Sequence, residues 1–191
     1  MKNKFIAILF ATCMTFSLTA CGGSDEKENS TQQSQQAQQS NDQQEDSNWT
    51  MGQKNAIKKA KDYLNVMAFS HDGLINQLEF DGFTNEEAVF GADNCNADWN
   101  EQAVKKAKEY LNTMSFSKDE LIKQLEFDKF TTEQATFGVD SCNADWNEQA
   151  VKKAKEYLDV MSFSKDGLIK QLEFDGFTTE QAEYGVTGVG Y

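Results

Sequence analysis

Apolar residues recur at helical spacing in three equivalent segments of the chain. Lysine and glutamate occupy most of the positions between them. In the middle segment the apolar positions are Ala103, Val104, Ala107, Tyr110, Leu111 and Met114. Spacings of three and four residues place such side chains on one face of an amphipathic helix. The pattern therefore predicts a first helix, helix A, in each segment.

A second helix, helix B, is predicted to begin after Ser117 in the middle segment. Ser117 and Glu120 have the spacing of a capping box, in which each side chain accepts a hydrogen bond from the backbone N–H of the other residue. Glycine replaces the glutamate in the outer segments, at Gly73 and Gly167. We expect those two segments to keep the serine cap and to lose the return bond.

A short turn and a third helix, helix C, follow helix B. Gly82 and Gly176 occupy this turn in the outer segments, where a left-handed residue commonly ends a helix. Lys129 has the same place in the middle segment. We expect it to adopt the same conformation at some cost in free energy; a locally different turn is the alternative. Helix C then begins with a threonine and, three residues later, a glutamate or glutamine, which predicts a capping box. The three pairs are Thr84 and Glu87, Thr131 and Gln134, and Thr178 and Gln181.

The three segments are copies of one unit, since Leu64, Leu111 and Leu158 are equivalent and follow one another at intervals of 47 residues. A fixed period of this length indicates one supersecondary unit used repeatedly. Helices B and C, joined by a tight turn, make a helix-turn-helix-like corner. The predicted fold class is all-α, with three tandem three-helix repeats over residues 49–97, 98–144 and 145–191.

The start of the chain has the order of a bacterial lipoprotein signal. Lys2 and Lys4 precede an apolar run from Phe5 to Leu18, which is typical of a secretory signal and short of the ~20 residues of a membrane-spanning helix. The run ends in Leu-Thr-Ala-Cys at Cys21, which resembles the lipobox, whose cysteine carries diacylglycerol and becomes the mature N-terminus. We predict a lipoprotein signal peptide over residues 1–20 and lipidation, including palmitate, at Cys21. The alternative is an ordinary secretory signal with a chance cysteine.

Residues 21–48 form the predicted lipidated N-terminus and a polar linker. Glutamine, serine, asparagine and acidic residues dominate this stretch. Such a composition buries too little apolar surface to offset the entropy of ordering, so the linker is expected to be disordered. Random-coil scaling gives it a reach of roughly 30 Å. The repeats would thus be tethered to the extracellular face of the cytoplasmic membrane.

The net charge of −13 and the lack of arginine limit the possible partners. This charge repels nucleic acid and anionic membrane surfaces and attracts basic partners. Arginine is the side chain that most often binds guanine in the major groove. The helix-turn-helix-like corners are therefore not expected to bind nucleic acid. Solubility alone is a simpler explanation of the charge and stays open.

Catalytic and metal-binding patterns are not evident. His71 is the only histidine, and lysine takes its place at Lys118 and Lys165. It follows a helix cap, so we expect a solvent-exposed residue in the first helical turn rather than a catalytic base. No recurring histidine or cysteine cluster has metal-ligand spacing. The sequence predicts neither an enzyme nor a cofactor.

The candidate partner-binding residues lie at the end of helix B and at the start of helix A. The acids at the end of helix B could form a paired-carboxylate or cation site, or simply an acidic turn. The tryptophans are expected to pack between repeats, with use as partner anchors as the alternative. The candidates are Glu79, Asp81, Glu126, Asp128, Glu173, Asp175, Trp99 and Trp146.

Cys95 and Cys142 occupy equivalent positions in the first two repeats. A disulfide requires Cα atoms within about 7 Å, and positions one whole repeat apart should be farther apart. We expect two free or partly buried thiols at the junctions between repeats. An intermolecular disulfide is the alternative.

The order of these motifs resembles one known family. AVKKAKEYL, MSFSKDGLIKQLEFDGFTTEQAEYGV and the junction ADWNEQA are similar to the Ltp family of host cell surface-exposed lipoproteins. The middle repeat departs from the pattern at Glu120 and Lys129, where glycine is usual, and the number of repeats differs from members with two. The resemblance covers the three repeats, the lipobox and the polar linker.

The resemblance implies a prophage or temperate-phage lipoprotein of Gram-positive bacteria. Such proteins act in superinfection exclusion: they stop an incoming phage from injecting its DNA. The implied partner is the phage tape measure protein, bound by the helix-turn-helix-like repeats. The alternative function is that of a structural or adhesive surface lipoprotein with no role against phages. The oligomeric state does not follow from the sequence.

Overall fold

A computed structural model of the chain describes residues 48–191. The predicted signal peptide, Cys21 and residues up to 47 of the linker lie outside this range. Within it the structure is helical, with nine helices and no strand. None of these helices is long and apolar enough to cross a membrane. The predicted all-α fold of three three-helix repeats is confirmed for the described part of the chain.

Each repeat consists of helix A, helix B and helix C in that order. Repeat 1 contains α1 (Met51–Val66), α2 (His71–Phe80) and α3 (Asn85–Asp93). Repeat 2 contains α4 (Trp99–Thr113), α5 (Lys118–Phe127) and α6 (Thr132–Asp140). Repeat 3 contains α7 (Trp146–Val160), α8 (Lys165–Phe174) and α9 (Thr179–Gly188).

Side chains cap the N-termini of the helices, and those of the helices C are capped as the sequence predicts. The three threonine boxes at helix C form both of their hydrogen bonds, and Thr50 with Gln53 does the same at α1. Asp98 caps α4 by accepting from the backbone N–H groups of Asn100 and Glu101, at 2.9 and 3.1 Å. These side chains accept hydrogen bonds from N–H groups that have no partner within the helix.

The predicted capping box at helix B of repeat 2 is wrong in one half. Ser117 accepts from the N–H of Glu120 at 3.1 Å, but the Glu120 carboxylate does not return to the backbone of Ser117. It lies 3.3 Å from the ammonium nitrogen of Lys153 on α7. An ion pair between repeats therefore takes the place of the local hydrogen bond.

A separate apolar core lies inside each repeat. In repeat 2, Leu121 and Leu125 of helix B are fully buried against Ala103 and Ala107 of helix A. Helix C closes the other side, where Gly138 allows a close approach: a Cβ atom built there would lie 2.7 Å from the backbone carbon of Ala103. Repeats 1 and 3 have equivalent cores.

Neighbouring repeats are joined by hydrogen bonds that recur at both junctions. The Ser70 hydroxyl donates to the backbone carbonyl oxygen of Asp128 at 2.5 Å. The N–H of Ala68 donates to the Glu109 carboxylate at 3.0 Å. One repeat later, Ser117 bonds to Asp175 and Ser115 to Glu156 in the same way. Each junction thus joins the start of helix B of one repeat to helix A and the end of helix B of the next.

Candidate partner-binding site at the acidic turns

The acidic turns are residues 79–81, 126–128 and 173–175, where helix B ends in each repeat. In repeat 2 the chain reverses at Lys129, whose φ of 69° is left-handed, and the prediction for this residue is confirmed. The N–H of Lys129 donates to the carbonyl oxygen of Glu126 at 2.9 Å, and that of Phe130 to Leu125 at 3.1 Å. Gly82 and Gly176 have the same role, with φ of 96° and 90°. These bonds fix the backbone of the turn.

The aspartate of each acidic turn is held by a tyrosine of helix A. The Tyr110 hydroxyl donates to the Asp128 carboxylate at 2.6 Å and accepts from the Gln124 amide at 3.1 Å. The same three side chains meet in the other repeats: Tyr63, Asp81 and Gln77 in repeat 1, and Tyr157, Asp175 and Gln171 in repeat 3. These aspartates therefore tie helix A to the end of helix B.

The ionisation of these groups reflects their burial. Burial raises the pKa of Asp128, and the hydrogen bond from Tyr110 only partly offsets the rise. Burial and the hydrogen bond to Asp175 raise the pKa of Tyr157 to about 12. The pKa of Tyr110 is also raised, by burial first and by the bond to Asp128 second. The tyrosines are therefore neutral donors throughout the physiological range.

The glutamate of each acidic turn lies at the surface. The Glu126 carboxylate accepts from the Thr132 hydroxyl at 2.7 Å, and Glu173 accepts from Thr179 at the same distance. Glu79 accepts from the Asn85 amide at 2.8 Å. Each glutamate reaches the first residue of helix C, so its charge has a fixed position beside the corner.

The phenylalanine between these two acids points into solvent in every repeat. Phe80, Phe127 and Phe174 are 76%, 78% and 85% exposed. Phe127 also borders a cleft of about 210 Å³ at the junction of repeats 1 and 2, together with Phe69 and Lys106. The composition gives no sign of this exposure. The spacing of the residues does predict the exposure, because a phenylalanine two residues after the buried Leu125 does not lie on the apolar face of helix B.

The other candidate residues pack within the array. Trp99 is half-buried against the core of repeat 1, and its ring meets the edge of the His71 ring at a centroid distance of 5.2 Å. Trp146 packs on the core of repeat 2 in the same way. In each acidic turn the structure thus directs the glutamate to helix C and the aspartate to helix A, and it places Trp99 and Trp146 at the starts of α4 and α7.

His71 is half-buried, so the expectation of a solvent-exposed residue is wrong. Its Nε2 lies 2.8 Å from the Asp93 carboxylate at the end of helix C, and its Nδ1 lies 3.1 Å from Asp72. Burial lowers the pKa of His71, but the two carboxylates outweigh it and the pKa is raised. Lys118 and Asp140 form the equivalent ion pair in repeat 2, at 2.7 Å. His71 therefore joins helix B to helix C.

Cys95 and Cys142 are free thiols buried in the cores of repeats 1 and 2, on which Trp99 and Trp146 of the following repeats pack. Each donates to a backbone carbonyl oxygen at 3.1 Å. Burial raises the pKa of both thiols, which disfavours the reactive thiolate. Between residues 48 and 191, no group of three or more histidine, cysteine or acidic side chains is placed to hold a metal ion.

Sequence comparison supports the interpretation of the repeats. The profile of a family described as host cell surface-exposed lipoproteins matches residues 52–95, 98–141 and 145–189. The chain belongs to this Ltp lipoprotein family. No curated protein matches it.

Among solved structures, the chain is similar to that of Ltp, a superinfection exclusion protein from the Streptococcus thermophilus temperate phage TP-J34. The identity is 43%, the TM-score is 0.45, and the match covers 46% of this chain and 92% of the other.

Proposed function

We propose that the chain is anchored through a lipid on Cys21 to the extracellular face of the cytoplasmic membrane, where it blocks DNA injection by an incoming phage. The role is the one that the sequence resemblance implies. Membership of a family of surface-exposed lipoproteins supports the location. The lipobox ending at Cys21 supports the anchor.

The proposed partner is a basic segment of a phage tail component such as the tape measure protein. The observation that carries this proposal is the exposed phenylalanine beside an exposed glutamate at the same position of three repeats. Aromatic side chains are frequent anchors of protein interfaces. Charge complementarity accelerates the association of two proteins and favours the matching partner over others. The acidic turns supply both features on a backbone that is already ordered.

Three equivalent turns on one chain also allow multivalent binding. A long partner that reaches two turns binds the second at high effective concentration, so the overall affinity exceeds that of one turn. Within each turn we assign the contact to the phenylalanine and the glutamate. The aspartates Asp81, Asp128 and Asp175 hold the turn through their tyrosines. Contact through the half-buried Trp99 and Trp146 stays a prediction.

An exclusion assay tests this function. The full chain is expressed in a phage-sensitive host, and adsorption and DNA entry are measured separately for a panel of phages. We expect normal adsorption with blocked DNA entry for at least one phage. A Cys21→Ala variant is the matched control and should lose exclusion, because the repeats are no longer held at the membrane. Normal DNA entry for every phage, or full exclusion by the Cys21→Ala variant, would contradict the proposal.

Binding to the C-terminal part of a tape measure protein tests the surface directly. The affinity of the full chain should fall as salt rises, because exposed charges are screened within about 10 Å at 0.1 M ionic strength. An affinity that does not change with salt would show that the glutamates do not contribute to the interface. Binding to cell-wall material with no affinity for tail proteins would favour the structural or adhesive alternative.

A further inference from the structure

Each junction between repeats joins two faces that every repeat carries. The leading face is the A–B loop and the start of helix B, residues 68–70, 115–117 and 162–164. The trailing face is a lysine and an acid of helix A together with the carbonyl group at the end of the acidic turn. In repeat 2 the trailing face consists of Lys106, Glu109 and Asp128. Residues 48–191 contain two such junctions, between repeats 1 and 2 and between repeats 2 and 3.

In the described part of the chain, no other repeat covers the leading face of repeat 3. Ser115 and Ser117 of repeat 2 are 2% and 0% exposed because repeat 3 covers them. Their counterparts Ser162 and Ser164 are exposed, although they have the same neighbours in sequence. Ser164 still caps its helix by accepting from the N–H of Gly167 at 3.1 Å. No described residue of another repeat occupies the position that Asp175 takes beside Ser117.

No other repeat among residues 48–191 covers the trailing face of repeat 1. Lys59, Asp62 and Asp81 stand where Lys106, Glu109 and Asp128 stand in repeat 2. Lys59 is turned toward its own repeat, 3.4 Å from the Asp81 carboxylate. Asp81 is exposed, whereas Asp128 is half-buried under repeat 1. Within residues 48–191, these two uncovered faces match each other.

We propose that the leading face of repeat 3 docks on the trailing face of repeat 1 of a second copy of this chain. The new junction repeats the existing ones: the Ser164 hydroxyl donates to the carbonyl oxygen of Asp81 in the second copy, and the N–H of Ser162 donates to Asp62. Such a head-to-tail contact is heterologous and leaves both outer faces free, so it extends into rows of molecules.

Two substitutions make the contact between molecules weaker than the contact within one. Asp62 is one methylene shorter than Glu109, and Gly167 has no carboxylate to pair with the incoming lysine as Glu120 pairs with Lys153. Tyr191 also lies beside the open face, where its hydroxyl donates to the carbonyl oxygen of Phe163 at 2.5 Å. The association is therefore concentration-dependent, and crowding on a membrane favours it.

Paired cysteines test the geometry. A Cβ atom built on Gly176 would lie 3.8 Å from the Cβ of Ser117, a separation that suits a disulfide. The Ser117→Cys, Gly176→Cys pair should therefore close a disulfide inside one chain at any concentration. The equivalent pair, Ser164→Cys with Gly82→Cys, should close the same bond between chains.

The experiment uses the full chain in detergent. Its native cysteines are replaced by valine at 95 and 142, where repeat 3 has Val189, and by serine at 13 and 21. Mild oxidation of the second pair should give dimers and longer ladders that increase with concentration, with a bond between residues 164 and 82 in peptide mass spectra. Adding Ser162→Trp blocks the open face and should abolish the ladder without changing the melting temperature, because Ser162 is exposed.

A failure to form the 164–82 bond at concentrations where the 117–176 bond closes fully would overturn the proposal. A ladder that persists with Ser162→Trp would also overturn it, because the bond would then come from random collision. Single-cysteine variants set the background, since each can form only symmetric dimers.

Discussion

The Ser117 hydroxyl of repeat 2 lies 2.5 Å from the backbone carbonyl oxygen of Asp175 in repeat 3 and donates a hydrogen bond to it. The hydroxyl oxygen of Ser117 also accepts a hydrogen bond from the N–H of Glu120 and so caps helix B. One side chain thus begins a helix in its own repeat and holds the acidic turn of the next. Repeat 1 uses Ser70 on Asp128 in the same way. Folding within a repeat and docking between repeats share these atoms.

Replacing Ser117 by alanine should therefore cost more than replacing Ser164. Ser164→Ala removes a helix cap, which is worth ~1 kcal/mol. Ser117→Ala removes the same cap and also the bond to Asp175, for about 1 kcal/mol more. Urea unfolding of the full chain measures both, and Ser70→Ala should match Ser117→Ala. Equal losses for Ser117→Ala and Ser164→Ala would show that the bond between repeats contributes nothing.

Gly138→Ala should destabilise repeat 2. Alanine gains ~1 kcal/mol of helix propensity over glycine, but the new Cβ would lie 2.7 Å from the backbone of Ala103. Backbone cannot move aside as a side chain does, and overpacking of this kind costs about 1–3 kcal/mol. We expect a lower urea midpoint, with Phe137→Ala, on the exposed side of the same helix, nearly neutral. A midpoint for Gly138→Ala at or above that of the parent chain would refute the close packing.

His71 should make the stability of repeat 1 depend on pH. Its folded pKa is raised above 6.5, so its contribution is complete below the unfolded pKa and is lost as pH rises through the folded pKa. The loss should be ~0.5 kcal/mol, as for a partly exposed ion pair. NMR titration of the single histidine gives the pKa, and melting curves between pH 5.5 and 8 give the stability.

The chain supplies its own control for this prediction. Lys118 stands at the position of His71 and pairs with Asp140. His71→Lys should therefore keep the ion pair to Asp93 and remove the pH dependence between 6 and 8. A folded pKa of His71 at or below 6.5, or a pH dependence that survives the substitution, would contradict the assignment.

Local features of the fold were predictable from the sequence because their causes are local. The threonine boxes of helix C and the left-handed Lys129 depend on residues within four positions of each other. The Glu120 prediction was wrong because the competing partner, Lys153, belongs to another repeat. The sequence of one repeat does not show which side chains the neighbouring repeat places at the junction.

The location of the acidic turn was predictable from the sequence. The different roles of its glutamate and its aspartate were not. The sequence shows a glutamate, a phenylalanine and an aspartate in a row. It does not show that Tyr110 reaches Asp128 and leaves Glu126 at the surface. Likewise, Gly138 resembles any helical glycine until the approach of Ala103 is known. These distinctions arise from packing between helices.

The acidic turns are the proposed partner-binding surface, and a triple variant tests them most directly. Replacing Phe80, Phe127 and Phe174 by alanine removes side chains that are at least 76% exposed, so the fold should be unaffected. Met67→Ala, Met114→Ala and Met161→Ala together form the matched control, since these side chains are also repeated and are 47–55% exposed.

The decisive measurement is phage DNA entry into cells that express equal amounts of the parent chain, the phenylalanine variant or the methionine variant. We predict that the parent chain and the methionine variant block entry. Cells with the phenylalanine variant should admit as much phage DNA as cells without the protein. Exclusion by the phenylalanine variant at the level of the parent chain would contradict this prediction.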